Sequence, residues 1–191
     1  MDISRADLII AEHRGDVTVL LATLRSADPA QRAAALGSLH RHGSLSNDVL
    51  ATALSDTDRN VRVRAIELAV TTPDIDLVSM LSDADDLVVE TAAWALGERQ
   101  DATSHTIEAL SEVATGHEIS ICREAAIAAL GAIGSPAGLA AILSGINDRT
   151  PIRRRAVLAL APFDGPEVHA ALQQALGDRD RQVRQAAEDL L

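Results

Sequence analysis

The sequence predicts an all-α protein, a solenoid of stacked helix pairs, on three observations. First, the pattern L-x-D-x-D recurs just before a helix that opens with V-R, as Leu54-Ser55-Asp56-Thr57-Asp58 before Val61-Arg62 and Leu176-Gly177-Asp178-Arg179-Asp180 before Val183-Arg184. Second, the arginine positions Arg32, Arg62, Arg123, Arg153 and Arg184, with Val89 in the same slot, recur at steps of 30, 27, 34, 30 and 31 residues. Third, an alanine stands three residues after every anchor: Ala35, Ala65, Ala92, Ala126, Ala156 and Ala187. An internal period of about 30 residues marks units that bury their apolar faces only by stacking on neighbours. A small residue at a fixed place lets two helices approach closely.

The elements follow in order. A helix over 3–13 caps the N-terminal end of the series (residues 1–15), and six pairs fill 16–191. The pairs are 16–26 with 29–41, 46–54 with 59–71, 73–82 with 86–99, 104–115 with 119–133, 136–146 with 151–161, and 166–176 with 181–191. The second helices show apolar residues at helical spacing, for example Val88, Ala92, Ala95 and Leu96, or Ile152, Ala156, Ala159 and Leu160. Thr72-Pro73, Ser135-Pro136 and Gly165-Pro166 place proline in the first turn of three first helices, where its missing N–H costs nothing. Asp28, Asp58, Asp85 and Asp180 stand where an N-cap belongs. Gly97, Gly131, Gly134 and Gly177 are expected to cap helix ends. No proline- or serine-rich linker interrupts the series, so one continuous domain over 1–191 is expected.

The segments Val88-Val89-Glu90-Thr91-Ala92-Ala93-Trp94-Ala95-Leu96-Gly97 and Cys122-Arg123-Glu124-Ala125-Ala126-Ile127-Ala128-Ala129-Leu130-Gly131 carry V-R-x-x-A-A-x-A-L-G nearly whole. That pattern resembles HEAT repeats of the short, phycobilisome-lyase-like type, and the likeness runs over roughly 16–191. The resemblance implies a right-handed αα-superhelix. It also implies an aspartate–arginine ladder between adjacent units, carried here by Asp28, Arg32, Asp58, Arg62, Arg123, Asp148, Arg153, Asp180 and Arg184. Val89 departs from the pattern and leaves one rung open. HEAT units specify a fold and say little about chemistry, since scaffolds, lyases, hydroxylases and glycosylases all use them.

Composition narrows the function classes. Hydrophobic residues make up 47% of the chain and aromatics 1%, so the core is built from Ala, Leu, Val and Ile. All 17 basic residues are arginine, which excludes lysine Schiff-base chemistry. The N-terminal stretch Leu8-Ile9-Ile10-Ala11 is too short for a signal peptide core or a membrane span, and a cytoplasmic protein without membrane contact is expected. The net charge of −11 opposes nucleic-acid binding, with Arg153-Arg154-Arg155 the only basic run and no aromatic cluster to stack bases.

No catalytic, metal or cofactor site is expected. Asp56-x-Asp58-x-Asn60 with Glu67 mimics a calcium loop, yet Val61 stands where that loop needs glycine. His117-Glu118 is similar to one of the His-Glu pairs of deoxyhypusine hydroxylase, an enzyme that needs several, and Glu12-His13 is reversed. His40, His42, His105 and His169 occupy no shared repeat position. Cys122 fills a slot held by valine elsewhere and reads as a small core residue; the sharper reading makes it a reactive thiolate beside His117.

Charge and one tryptophan mark a binding face. Residues 1–146 hold 21 acidic and 10 basic side chains, and 147–191 hold seven of each. Between Asp74 and Glu118 stand 11 acids, with Arg99 the only base. This stretch is either a solvated face or a docking site for a basic partner. Two and six residues after the first residue of each V-R pair, the second helices point away from the core. These positions select Glu67, Glu90, Trp94, Glu124, Arg154 and Leu158 as partner-binding residues. Trp94 either folds over a neighbouring helix or takes an arginine- or lysine-bearing segment by cation–π contact. The expected function is a non-enzymatic scaffold or assembly factor that holds a basic protein or peptide on an acidic concave face. The alternative is an accessory subunit of a lyase or cofactor-attaching enzyme, against which aromatic poverty counts, because a bilin-sized pocket is lined by aromatic and apolar side chains. Oligomeric state is not legible in the sequence.

Overall fold

A computed structural model describes residues 5–99 and 103–191. Among them are twelve α-helices and no strand. They fall into two compact units, one up to Leu77 and one from Val78 onward. The first holds α1 (Arg5–Arg14), α2 (Val17–Thr23), α3 (Pro29–Arg41), α4 (Asn47–Ala53) and α5 (Arg59–Ala69). The second holds α6 (Asp86–Arg99), α7 (Ser104–Gly116), α8 (Ser120–Ile133), α9 (Leu139–Ser144), α10 (Thr150–Ala159), α11 (Pro166–Leu176) and α12 (Arg181–Glu188). The start of the expected cap helix 3–13 lies outside the described residues, as does Asp101.

Helix starts follow their sequence signals. The Asp28, Asp58 and Asp180 carboxylates accept from the backbone N–H groups of Ala30, Asn60 and Gln182, and Asp85 accepts from Leu87 N–H. Each cap satisfies a donor that the first turn leaves without an intrahelical partner. In the second unit the helices α6, α8, α10 and α12 pack side by side as one layer, with α7 and α9 behind α8 and α11 behind α12. The alanines three residues past the anchors are fully buried in both units: Ala35, Ala65, Ala92, Ala126, Ala156 and Ala187 are all at 0% exposure.

Two first helices depart from expectation. No helix covers 73–82; a single 3-10 turn spans Val78–Ser82. Ile75 and Leu77 are both buried, a two-residue spacing that suits extended chain and not a helix, and Asp74 and Asp76 between and before them are poor helix formers. The segment 136–146 is broken into a 3-10 turn at Pro136–Gly138, the short α9, and another 3-10 turn at Gly145–Asn147. The chain is pressed onto α8 and α10 there: a Cβ on Gly145 would lie 2.7 Å from Ile127 Cδ1 and 3.0 Å from Ala156 Cβ.

The glycines also divide. Gly134 is the left-handed cap of α8, with φ of 67°, and Gly177 follows α11. Gly97 and Gly131 lie inside α6 and α8 and cap nothing. A Cβ on Gly97 would stand 2.9 Å from Ala129 Cα, and one on Gly131 2.8 Å from Ala159 Cα. Their work is close helix approach, and it repeats at one position in successive units.

Candidate functional site

Three of the anchor arginines, Arg32, Arg123 and Arg153, form rungs that tie one repeat to the next. Arg153 donates through Nε and Nη2 to both oxygens of Asp178, at 2.7 and 2.9 Å, and through Nη1 to the carbonyl of Asp148 at 2.9 Å. Arg123 repeats this with Asp148 at 2.9 and 3.0 Å and with the carbonyls of His117 and Glu118. Arg32 does so with Asp56 at 2.8 and 2.6 Å and with the carbonyls of Ser26 and Ala27. Arg62 and Arg184 hold the carbonyls of Asp56 and Asp178 in their own turns. One guanidinium thus closes its own turn and forks onto the carboxylate of the next, a geometry that lysine lacks. The forked hydrogen bonds hold the carboxyls of Asp56, Asp148 and Asp178 below the usual range and raise their arginines.

The ladder carboxylate is therefore the first aspartate of each D-x-D, Asp56 or Asp178, and not the second. Asp28, Asp58 and Asp180, expected in the ladder, are occupied as helix caps. The physical reason is reach: the second aspartate turns inward over its own helix start, which leaves the first to face the preceding unit.

At the step from α6 to α8 the rung is absent on both sides. Val89 replaces the arginine and is fully buried. His117, six residues before Arg123, stands where Asp56 and Asp178 stand before Arg62 and Arg184. The ligand atoms of Asp86, His117 and Cys122 come within 4.8 Å of one another at this gap. Two of these three donors are already engaged within the fold. His117 Nδ1 accepts the N–H of Ile119 at 3.2 Å, so in the neutral imidazole the proton sits on Nε2, the nitrogen that faces Asp86 at 4.0 Å. Burial, with the negative charges of Asp86 and Glu90, pushes the Cys122 thiol up to about 11. Its Sγ lies 3.4 Å from the carbonyl of Asp86, to which it donates. Cys122 is a buried core thiol, and its burial opposes the reading of a reactive thiolate beside His117.

The open face of the second-helix layer carries a groove of about 400 Å³. Its floor is alanine, from Ala125, Ala128 and Ala132 of α8, and its walls bear Glu90, Trp94 and Glu98 on one side and Arg155 on the other. Trp94 is 47% exposed, so the ring stands on the open face and is not folded into the core. Ile121 and Leu158 are 42% and 41% exposed on the same layer. A second hollow of about 320 Å³, lined by Glu124, Thr150, Arg154, Leu158 and Gln182, shares Glu124 and Arg155 with the first.

Of the residues expected to bind a partner, Glu90, Trp94, Glu124, Arg154 and Leu158 line this pair of hollows. Glu67 lies in the other unit, on α5, where Arg64 donates to its carboxylate at 2.8 Å. Ile121, Glu98 and Arg155 are functional candidates that the sequence reading missed. Ile121 stands two residues before its anchor, like Leu87, which is also exposed, and Pro151. An apolar residue at that recurring slot was a legible signal. Among the described residues no helix is long and apolar enough to cross a membrane.

Comparison with known families settles what the repeats are. The family model for HEAT repeats matches residues 76–161, and the model for the phycobilisome (PBS) lyase HEAT-like repeat matches 152–178. The chain belongs to the HEAT-repeat family. No curated protein sequence matches it significantly. Solved structures share the HEAT and armadillo type of fold at low identity. The Escherichia coli protein YibA aligns with a TM-score of 0.68 at 17% identity, over 98% of this chain and 74% of its own. A designed armadillo repeat protein in complex with the peptide (KR)4 aligns at 0.62 and 18%, over 90% and 96%. The CpcE–CpcF complex of phycocyanin lyase from a Nostoc species aligns at 0.60 and 21%, over 90% and 74%. At these identities the likeness is one of fold.

Proposed function

We propose that this HEAT-repeat protein is a non-enzymatic interaction scaffold or assembly factor of the cytoplasm, which holds a basic segment of a partner protein on the open face of α6, α8 and α10. The observation that carries the reading is Trp94, half-exposed over an alanine floor and flanked by Glu90, Glu98 and Glu124. A large aromatic costs free energy when left in water, and a ring flanked by carboxylates suits a guanidinium or ammonium group, which gains from the π face and from charge pairing at once. The designed armadillo relative that holds a (KR)4 peptide lends support by analogy of fold.

The test is a titration of the protein with an arginine-rich peptide, read through the emission of Trp94, the only tryptophan. Binding is expected to shift the emission and to weaken as salt rises. Trp94→Ala, titrated by calorimetry because it has no tryptophan left to report, is expected to abolish binding without altering the far-UV circular dichroism. Unchanged emission at saturating peptide would overturn the reading. A second reading, an accessory subunit of a lyase, draws on the match of 152–178 to the lyase-type repeat. It predicts absorbance above 350 nm in protein purified with its host's pigments.

A further inference from the structure

The two hollows on the second-helix layer carry opposite unmatched charge, and the order of that charge has a consequence for the partner. Taking the residue after each anchor, the layer reads Glu90 on α6, Glu124 on α8 and Arg154 on α10. Four residues further along the same helices it reads Trp94, Ala128 and Leu158. The face therefore has a charged row and an apolar row, side by side.

Within the charged row the middle position is satisfied. Arg155 Nη2 stands 3.4 Å from Glu124 Oε1 across the α8–α10 contact, an ion pair of the surface type. The ends are not. Glu90 and the exposed Glu98 have no ion-pair partner among the described residues, and Arg154 reaches only the neutral Gln182 Oε1, at 3.4 Å. An acidic end on α6, beside Trp94, thus faces a basic end on α10, beside Leu158, with a neutralised centre over the alanine floor.

Neighbouring packed helices lie about 8–10 Å apart, so α6 and α10 are separated by roughly 16–20 Å across α8. An extended polyproline-II segment rises 3.1 Å per residue and returns to the same side every three residues. Residues i, i+3 and i+6 of such a segment then sit over successive helices, on one side, with about 19 Å from first to last. The period of the ligand matches the period of the layer.

We propose that the occupant of this face is an extended partner segment of mixed charge, with a basic side chain at one end over Trp94 and Glu90 and an acidic side chain six residues away over Arg154. The intervening residues are small or apolar and lie on Ala125, Ala128 and Ala132. This rests on the scaffold reading above and sharpens it: a uniformly basic segment still binds at Trp94 but places its last charge against Arg154 and is held more weakly, which makes the arginine a selector and the tryptophan an anchor.

The experiment compares three peptides of equal length, titrated against the full chain at low salt and read by Trp94 emission. One has arginine and glutamate six residues apart, one has them two apart, and one has arginine at both places. The six-spaced mixed peptide is expected to bind about five-fold tighter than either other, the size of one well-placed exposed charge pair. Arg154→Glu is expected to reverse the preference between the mixed and the all-arginine peptide, without loss of fold, because the side chain is exposed. Equal or tighter binding of the all-arginine peptide to the unaltered protein, or an unchanged preference in Arg154→Glu, would overturn the proposal and leave the scaffold reading standing. If no peptide perturbs Trp94, the groove is not a docking site and both readings fall together.

Discussion

The step from α8 to α10 and the step from α6 to α8 use the same helix geometry and hold it by different means. At α8–α10, Arg123 forks onto Asp148 and Gly131 backs onto Ala159. At α6–α8, Gly97 backs onto Ala129 in the same way, but valine and histidine replace the ion pair. Val89, Ala92 and Ala93 are all at 0% exposure, and so is Cys122. The repeat therefore does not need the rung in order to stack. Helix approach is set by small residues and apolar burial, and the arginine contributes stability and turn closure on top of it. A lost rung is tolerated when both partners change together, since either alone leaves a charge without its counterpart.

That comparison can be broken most directly by restoring one half of the missing rung. Val89→Arg buries a cation opposite His117 and is expected to cost about 3–5 kcal/mol. Adding His117→Asp supplies the fork, and a thermodynamic cycle over the two changes is expected to show a favourable coupling of about 0.5–3 kcal/mol. Strict additivity in urea denaturation would mean that these two positions are not a rung. At the intact steps, Arg153→Ala is expected to destabilise by about 1.5–3 kcal/mol, the range for hydrogen bonds to charged groups. Asp178, whose side chain is 13% exposed, is left without its counter-ion. A melting temperature equal to that of the parent would show the rung to be inert.

Acid should erase that difference. The carboxyls of Asp56, Asp148 and Asp178 are held below their ordinary value in the fold, so the unfolded chain takes up protons first as the pH falls. Rung stability is then fully present above about pH 4–5 and is lost as the pH falls through the depressed values. The gap in melting temperature between the parent and Arg153→Ala is expected to close from pH 6 toward pH 2; a gap that widened would reverse the sign of the linkage.

Shared elements of the two steps should respond alike. Gly97→Ala and Gly131→Ala each force a methyl group against a helix backbone at under 3 Å and are expected to cost about 1–3 kcal/mol. Ala92→Leu and Ala156→Leu, at fully buried sites, belong to the same class. A cost confined to the step with the rung would mean that packing is not the common principle. The smallest effect is expected at Trp94→Ala, within about 0.5 kcal/mol, because a half-exposed ring on an open face shields little core. A larger loss in thermal melts would make Trp94 a structural cover.

Periodicity determined the second helices, the anchor register and the buried alanines by itself, because a repeated environment imposes repeated residues and the repetition is visible without coordinates. The second helices were legible almost to the residue from D-x-D caps and the V-R start. Trp94, Glu90, Glu124, Arg154 and Leu158 were legible as one face because position on a helix follows from 100° per residue. What only the tertiary structure decided lies between helices. It separated Asp56 and Asp178, which reach across to the preceding unit, from Asp58 and Asp180, which cap; two aspartates two residues apart are alike in sequence and differ in the direction they face. It turned Gly97 and Gly131 from apparent caps into contact points, since the need for a missing Cβ comes from the neighbouring helix. It replaced the expected helix at 73–82 with chain that buries Ile75 and Leu77, where a proline signal for a helix start lost to the demand of the core. And it brought Arg155 beside Glu124 and left Arg154 with no acidic partner among the described residues, a choice between two adjacent arginines that depends on which way α10 faces α8.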